Sequence, residues 1–491
     1  MANSFTHAFQ TGSIEERARL ALGQDSAATI RAHLGEDAFV EYEQIAHRVV
    51  KAARDHLAGP PPNLIFIPGV MGSQLMSTQL GGIWWVDVRT RQHIEHLRLN
   101  AAGTQSSNPR HALVPVTTDP SYEPFRAAVL ERGDFCHIVY PYDWRMSLSR
   151  AADGLRDAIL GMHASNGQRK VHLVAHSMGG LLIRATLMAH GAELWPKIGR
   201  IAFIGTPHFG APAIASYLRH HFWGWEGMAL LGRYLSPAAF RSLRGVLELL
   251  PAPCGIYPGT RPESADRWIP ANAADRYQHP CLDFDTYRAT DLELALGQDE
   301  TAKLQGVLDG SATFHRDLWS AHVALDQAFR DRMAVIAGVG FKTVFRLETP
   351  GWPQSLAGSR KITQRVPDDP HRDGDGRVPL ASAQLPYVAQ TRYVRGEHGA
   401  LPSIPAVHED VFRWLNGEQM KLPISSRGAL ADHLALADPL PAAGHLARGV
   451  QSRGDDPGYL DERHYTEDEL AALDAGLDTG LVPGFNRLHI L

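Results

Sequence analysis

The pentapeptide AHSMG, residues 175–179, joins an apolar strand pattern, VHLV, to an apolar helix pattern, LLIRA. A serine on such a tight strand-to-helix turn is typical of a nucleophile, because the turn lifts its hydroxyl above the sheet edge. The turn needs small residues two positions before and two after Ser177, where this chain has Ala175 and Gly179. Glycine is usual at the first position, so the chain differs there by one methyl group. A helix N-cap serine without chemical function is the alternative.

A nucleophilic serine needs a base, and the base needs an orienting acid, in the chain order Ser, Asp or Glu, His for this type of turn. Asp375 in DGDGRVPL is the better candidate for the acid, because it lies on a glycine-rich turn and Val-Pro follows shortly after it. Asp373 is the alternative acid. A calcium loop starting at Asp373 is excluded, since no glutamate occupies its twelfth position.

His398 in RYVRGEHGALP is the better candidate for the base, because it follows a short strand pattern and a polar turn. His408 is the alternative, although its surroundings, IPAVHEDVFRWL, predict a helix interior. His176 and His208 lie beside the site in the sequence, and His176 is expected to pack under the turn rather than to act as a base.

A tetrahedral intermediate needs N–H donors for its oxyanion. One donor is expected from Met178, the residue after the serine, and the other from the loop after the first strand. That loop lies in FIPGVMGSQL, where Val70 is the first choice and Met71 the next. An ordinary glycine turn is the alternative interpretation of this segment.

These residues require a scaffold, and the chain supplies short apolar strand patterns separated by helix patterns. The strands are predicted at residues 64–67, 135–140, 171–174, 201–204 and 333–339, and the helices at 124–132, 151–163 and 178–190. Continuous apolar strands alternating with helices predict a mostly parallel sheet with helices on both faces. The fold class is therefore α/β.

Residues 1–59 are predicted to be a helical extension, which ends at Gly59 and three prolines. The main domain is expected at residues 60–417, with an insertion at about 210–330. The insertion is interpreted as a lid or pocket wall, with a buried helical layer as the alternative. Phe222, Trp223 and Trp225 in it are candidates either for contact with a membrane surface or for the lid core. Residues 418–491 are expected to wrap the domain or to be partly mobile.

Composition excludes several classes of protein. The 491 residues are 44% hydrophobic and 21% charged, with a net charge of −5 and no basic block, which argues against a nucleic-acid partner. The N-terminus lacks a signal-peptide pattern and no apolar stretch is long enough to cross a membrane, so a cytoplasmic location is expected, with signal-independent export left open. The three cysteines suggest a reduced compartment or packing, and a Cys254–Cys281 pair is the minor alternative.

Taken together, the motifs resemble the lecithin:cholesterol acyltransferase and lysosomal phospholipase A family of α/β-hydrolases. The resemblance spans about residues 64–400 and lies in PGVMGSQL, WWVD, PYDWR, AHSMGG, GTPHFGA, LELLP, AGVG, DGDGRVPL and GEHGALP, in family order. It implies an α/β-hydrolase fold with a helical lid or cap. It further implies Ser177, Asp375 and His398 as the catalytic triad, with the Val70 and Met178 amides as the oxyanion hole.

The same resemblance implies a lipid or other acyl-ester substrate and neither a metal nor a cofactor. Trp84, Trp85, Trp144 and Phe209, which lie in the shared motifs, are expected to contact substrate. The sequence thus predicts a serine esterase or lipase of the phospholipase type. Transfer of an acyl chain from a phospholipid to an alcohol is the first alternative, and a non-catalytic binding protein on the same fold is a remote one.

Overall fold

The structure is a computed structural model that describes residues 12–54, 61–85, 88–218, 234–258, 363–365 and 374–435, most of residues 282–348, and a few isolated positions. Phe222, Trp223, Trp225, Cys281 and Asp373 lie outside the described residues. Within the described ranges, no helix combines the length and the apolarity that crossing a bilayer requires.

The described strands are, in chain order, β1 (Asn63–Ile67), β2 (Ser73–Ser77), β3 (Ile83–Trp85), β4 (Leu113–Thr118), β5 (Cys136–Val139), β6 (Val171–His176), β7 (Ile198–Ile204), β8 (Met333–Val339), β9 (Arg346–Glu348), β10 (Thr363–Arg365) and β11 (Gln390–Arg395). Six of them form one sheet in the order β11-β8-β7-β6-β1-β5, and every neighbouring pair in it is parallel. The strands β3-β2-β4 form a small antiparallel sheet, and β9 pairs with β10.

Alternate residues of the central strands enter two separate hydrophobic cores. Ile65, Leu173 and Phe203 belong to one core, whereas Leu64 and Val174 belong to the other. Because both faces are buried, β1 and β8 are apolar almost throughout and show no alternation of polar and apolar residues. This burial explains why continuous apolar runs are the sequence signal for these strands.

The described helices are, in chain order, α1 (Ile14–Leu22), α2 (Ala27–Leu34), α3 (Glu36–Arg54), α4 (Glu123–Arg132), α5 (Leu148–Ser165), α6 (Met178–Leu194), α7 (Pro212–Leu218), α8 (Pro237–Ser242), α9 (Arg244–Leu247), α10 (Gln298–Ala324), α11 (Gln327–Arg330), α12 (Leu380–Ala383), α13 (Pro405–Leu415) and α14 (Ser426–Ala435). The predicted strands and the three predicted helices of the main domain all occur, with ends that differ by a few residues. The predicted α/β fold class, with a mostly parallel sheet flanked by helices, is confirmed.

The N-terminal helices α1–α3 share an apolar core with Ala127 and Leu130 of α4. Arg17 of α1 is fully buried, and its guanidinium lies 2.6 Å from the Glu123 carboxylate at the start of α4. Arg17 also donates to the Thr118 carbonyl at 3.1 Å. A charge withdrawn from water in this way needs its partner, so α1 is tied to one position on the domain.

The segment predicted as an insertion contains α7–α11 in its described part. The long helix α10 packs against α6, the helix that follows Ser177, and buries Leu308, Phe314 and Leu318. After residue 417, Met420 enters the second core and α14 packs beside β11. The domain limits, the lid function of the insertion and the behaviour of the tail beyond residue 435 remain predictions.

Candidate active site

The proposed site residues follow the carboxyl ends of four parallel strands. Ser177 follows β6, Val70 follows β1 and His398 follows β11. Asp375 comes later in the chain than β9 and β10, and a β-bridge pairs it with Phe341, just after the end of β8. In a parallel sheet these ends share one edge, where α/β proteins place their ligand sites. Four segments that are distant in sequence are thereby brought to one place.

Ser177 lies on a strained turn between β6 and α6, with φ 52° and ψ −130°. For a residue with a Cβ, this conformation costs about 1–3 kcal/mol. The turn is held by the Ser177 amide, which donates to Ile204 O at 2.9 Å, and by the Gly180 amide, which donates to Ser177 O at 3.0 Å. A Cβ at position 179 would lie 2.5 Å from Pro68 O, so only glycine fits there. Ala175 is fully buried, and its methyl group is accommodated.

The structure brings Ser177, His398 and Asp375 into one hydrogen-bonded line. His398 Nε2 lies 2.9 Å from Ser177 Oγ, and His398 Nδ1 lies 2.7 Å from Asp375 Oδ2. Since a carboxylate only accepts, Nδ1 carries the proton and Nε2 is free to accept the serine hydroxyl proton. All three residues are at most 2% exposed.

The turn that carries Asp375 is built from its own hydrogen bonds. Asp375 Oδ1 accepts the amides of Arg377 at 3.0 Å and Val378 at 2.7 Å. Thr343 Oγ1 accepts the amides of Gly374 and Gly376, both at 2.9 Å, on either side of the acid. Thr343 therefore fixes the backbone that presents the carboxylate, a role that no sequence motif indicated.

The loop after β1 lies directly against the serine. A Cβ at Gly69 would lie 2.9 Å from the Ser177 Cβ. The backbone of this loop therefore closely approaches the strand-to-helix turn that carries Ser177, which we call the nucleophile elbow. Val70 and Met178 are buried, and among the described residues neither amide N–H has a hydrogen-bond partner. Two unpaired amides beside a serine hydroxyl are what an oxyanion requires.

The four aromatic residues expected to contact substrate are buried, and the indole nitrogens of Trp85 and Trp144 bond to the main chain near this loop. Trp85 Nε1 donates to Met71 O at 2.8 Å, and Trp144 Nε1 donates to Ser73 O at 3.2 Å. Trp84 stacks on His93 at 4.4 Å between ring centroids. Phe209 lies 5.7 Å from Trp319, centroid to centroid. These are contacts within the protein, and substrate contact by the four residues stays a prediction.

The neighbouring motif PYDWR contains a local ion pair. Arg145 is fully buried and binds both carboxylate oxygens of Asp143, at 2.8 and 2.7 Å. The same guanidinium donates to Leu97 O at 3.2 Å. The pair therefore holds the segment between β5 and α5 in place.

The alternative histidines lie away from the serine hydroxyl. His408 is inside α13, and its Nε2 lies 2.7 Å from Pro402 O. His176 packs under the elbow, between Tyr122 and the main chain of His398. Glu397 lies beside His398, and burial raises its carboxyl pKa. Tyr122 was not indicated by any motif, although its hydroxyl contacts both His176 and Gly69.

Comparisons with known proteins bear on the family of the chain. The family model described as lecithin:cholesterol acyltransferase matches residues 134–231, about a fifth of the chain, a stretch that includes Ser177. A phospholipase A(1) of Arabidopsis thaliana named LCAT3 is 25% identical over 302 residues, which are 57% of this chain and 66% of that protein. The match thus spans just under two thirds of that relative.

Solved structures similar to the chain include lipases. The Tle4–Tli4 complex matches with a TM-score of 0.47 and 15% identity, over 78% of this chain and 100% of that one. The mature Bacillus licheniformis lipase BlEst2 matches with a TM-score of 0.30 and 15% identity, over 71% of this chain and 89% of that one. The family comparisons confirm the resemblance seen in the motifs: this chain is similar to the lecithin:cholesterol acyltransferase and phospholipase family of α/β-hydrolases.

Proposed function

We propose that the chain is a serine hydrolase that cleaves carboxylic esters, with lipid or phospholipid acyl esters as the substrate class. The observation that carries the proposal is the line from Ser177 Oγ through His398 to Asp375, with distances of 2.9 and 2.7 Å. The lipid class is supported by the matches to the acyltransferase model and to the plant phospholipase.

In the proposed reaction, Ser177 Oγ attacks the ester carbonyl carbon while its proton passes to His398 Nε2. Asp375 stabilises the imidazolium, and the Val70 and Met178 amides bind the oxyanion, each worth about 3 kcal/mol. The bond to the leaving alcohol then breaks, and the alcohol takes the proton from His398. Water then attacks the acyl carbon while His398 Nε2 takes its proton; the bond to Ser177 Oγ breaks, Oγ takes that proton back, and the fatty acid leaves.

The test is turnover of chromogenic acyl esters and of a phospholipid panel read by mass spectrometry, with wild type and Ser177→Ala. We expect Ser177→Ala to lose turnover and labelling by a fluorophosphonate probe while keeping its fold. Ser165→Ala, whose hydroxyl donates only to Met162 O in the described part of the chain, is the matched control. Turnover unchanged in Ser177→Ala would reject the proposal.

Acyl transfer to an alcohol is the second candidate, favoured by the description of the family that matches around Ser177. The difference lies in which nucleophile meets the acyl-enzyme. Adding lipid alcohols to the same assay distinguishes hydrolysis from transfer, because transfer diverts acyl groups from free acid to new ester.

A cytoplasmic location remains a prediction, and so does contact with a lipid surface through Trp223 and Trp225. Vesicle sedimentation of the two Trp→Ala variants tests the contact with a lipid surface.

A further inference from the structure

A buried chain of hydrogen bonds lies beneath the nucleophile elbow and joins the loop after β1 to the loop after β11. The Gly69 amide lies 3.0 Å from the Tyr122 hydroxyl oxygen, which lies 2.9 Å from His176 Nδ1. His176 Nε2 lies 3.0 Å from the main-chain oxygen of His398. Tyr122 and His176 are 6% and 2% exposed, so water competes little for these bonds.

The direction of this chain is fixed by its last acceptor. A carbonyl oxygen only accepts, so His176 Nε2 carries the proton that it donates to His398. In the neutral ring Nδ1 then accepts from Tyr122, whose oxygen in turn accepts the Gly69 amide. Burial raises the pKa of Tyr122, so its hydroxyl keeps its proton over the range in which an imidazole titrates. Every donor in the chain is paired.

Two glycines of the PGVMG motif make room for the tyrosine. A Cβ at Gly72 would lie 2.8 Å from the Tyr122 hydroxyl oxygen, and one at Gly69 would lie 3.3 Å from it. The ring of Tyr122 also packs on Phe66 at 5.2 Å between centroids. The spacing of these glycines thus reflects contact with a residue about fifty positions away.

The peptide group between Gly69 and Val70 is held through its carbonyl oxygen. The Gly72 amide donates to Gly69 O at 3.1 Å. In a planar trans peptide the N–H points opposite to the C=O, so this bond directs the Val70 N–H away from Gly72. Gly69 is therefore held through its amide by Tyr122 and through its carbonyl by Gly72, and the orientation of the Val70 amide follows.

We propose that Tyr122 and His176 are positioning residues for the attack of Ser177 on the ester. They fix the positions of the Val70 amide and of the main chain of His398 relative to Ser177. The inference rests on the proposed function. Neither side chain needs to touch substrate, because the effect comes from alignment, and misplacement by about 1 Å can cost about 100-fold in rate.

The main test is Tyr122→Phe, which keeps the ring but removes the hydroxyl that accepts the Gly69 amide and donates to His176 Nδ1. We expect kcat to fall by about 10- to 100-fold, as for a misaligned group, with KM nearly unchanged. Active-site titration should count as many reactive serines as in wild type. A boronic acid that forms a tetrahedral adduct on Ser177 should lose affinity by the same factor as kcat/KM.

Tyr142→Phe is the matched control. Tyr142 is equally buried, yet its hydroxyl has no hydrogen-bond partner among the described residues. Removing that hydroxyl should leave kcat within about twofold of wild type, since no hydrogen bond is lost. If any Tyr→Phe change in this core impaired the protein, kcat would fall in Tyr142→Phe as much as in Tyr122→Phe.

A second arm uses non-additivity. His176→Phe alone and combined with Tyr122→Phe should show nearly the same loss, because residues that act as one unit do not add. Imidazole nitrogen NMR measures the tautomer of His176 directly in the wild-type protein. We expect the proton on Nε2. An Nδ1-protonated His176, or Tyr122→Phe at the wild-type rate per titrated site, would overturn the positioning role.

These outcomes are separable from a failure of the proposed function. Turnover that Ser177→Ala abolishes but Tyr122→Phe does not change rejects only the positioning residues. Absence of any Ser177-dependent turnover or probe labelling in wild type rejects the hydrolase function, and the positioning role with it.

Discussion

Asp375 holds His398 by two hydrogen bonds of different kinds. Its carboxylate Oδ2 lies 2.7 Å from His398 Nδ1, and its main-chain carbonyl accepts the His398 amide at 2.8 Å. The second bond does not depend on the side chain. The backbone of His398 should therefore stay in place when the carboxylate is changed, and the two effects can be measured apart.

Replacing Asp375 by Asn should lower kcat by about 10³- to 10⁴-fold with little loss of stability. An amide favours the wrong imidazole tautomer and does not stabilise the imidazolium, as in other serine triads. Ester turnover and thermal unfolding measure the two quantities. Asp153→Asn is the control, because Asp153 contacts His190 at 2.8 Å but is 76% exposed. A kcat for Asp375→Asn close to that of the control would contradict the role of Asp375.

Replacing Gly179 by Ala should disable the elbow. The new Cβ would lie 2.5 Å from Pro68 O and 2.6 Å from Ile67 O, and these main-chain carbonyls at the end of β1 cannot move aside. We expect at least a 100-fold loss of kcat, since a shift of about 1 Å at the serine is enough. Circular dichroism and ester turnover are the measurements.

Gly161→Ala provides the comparison for that glycine. A Cβ at this position of α5 meets nothing within 4 Å, so the variant should unfold at an equal or higher temperature. In a helix interior, alanine is favoured over glycine by about 0.8–1 kcal/mol. A Gly179→Ala protein as active as Gly161→Ala would show that the elbow tolerates a side chain there.

Glu248 should make stability depend on pH. Burial raises the pKa of this carboxyl from 4.5 to about 7, against the opposing effect of the Leu148 amide that it accepts. The unfolded chain releases the proton at lower pH than the folded one. The free energy of unfolding should therefore fall as pH rises from about 4.5 through 7, by about 3 kcal/mol in total.

Glu248→Gln tests this, because glutamine does not ionise and still accepts from Leu148. Urea unfolding at pH about 5 and about 8 should show the variant gaining on wild type at the higher pH, by up to about 3 kcal/mol. Parallel pH profiles for the two proteins would mean that Glu248 keeps an ordinary pKa.

Replacing Arg17 by Met should destabilise the protein by about 3 kcal/mol, since it leaves the fully buried Glu123 with less compensation. Arg126 still lies 2.9 Å from that carboxylate, so the loss should be at the lower end for buried pairs. Adding Glu123→Gln should recover part of it. Urea unfolding of wild type, Arg17→Met, Glu123→Gln and the double variant gives the coupling energy.

The exposed pair Arg132–Asp134 is the control for that ion pair. Its side chains are 32% and 44% exposed, and Arg132→Met should change the free energy of unfolding by less than about 1 kcal/mol. Equal effects of the two Arg→Met changes would indicate that Arg17 is not a specific tie.

The strands and the residues at their ends were predictable from the sequence because burial on both faces produces continuous apolar runs. The pattern VHLV before Ser177 and LLIRA after it predicts a buried strand and a buried helix, and the structure has both. Parallel topology then places the ends of β6 and β11 at one edge. The positions of Asp375 and His398 follow from chain order and their turns.

Residues such as Tyr122, Thr343 and Arg17 carried no such signal. Each acts through contacts that span from about 30 to more than 100 positions in the chain. Their residue types are ordinary for a 3₁₀ segment, a loop and a helix. Only the folded geometry shows that a tyrosine reaches the loop after β1 or that an arginine is sealed from water.

The Arg17–Glu123 pair has a consequence for anyone who shortens this protein. Glu123 directly follows Tyr122, so an acid left without its guanidinium would sit one peptide from the tyrosine beneath the elbow. A version trimmed to start at the proline run would expose the apolar side of α4 and would also disturb the surroundings of Glu123 and Tyr122. The first fifty or so residues therefore belong in any shortened version of the protein.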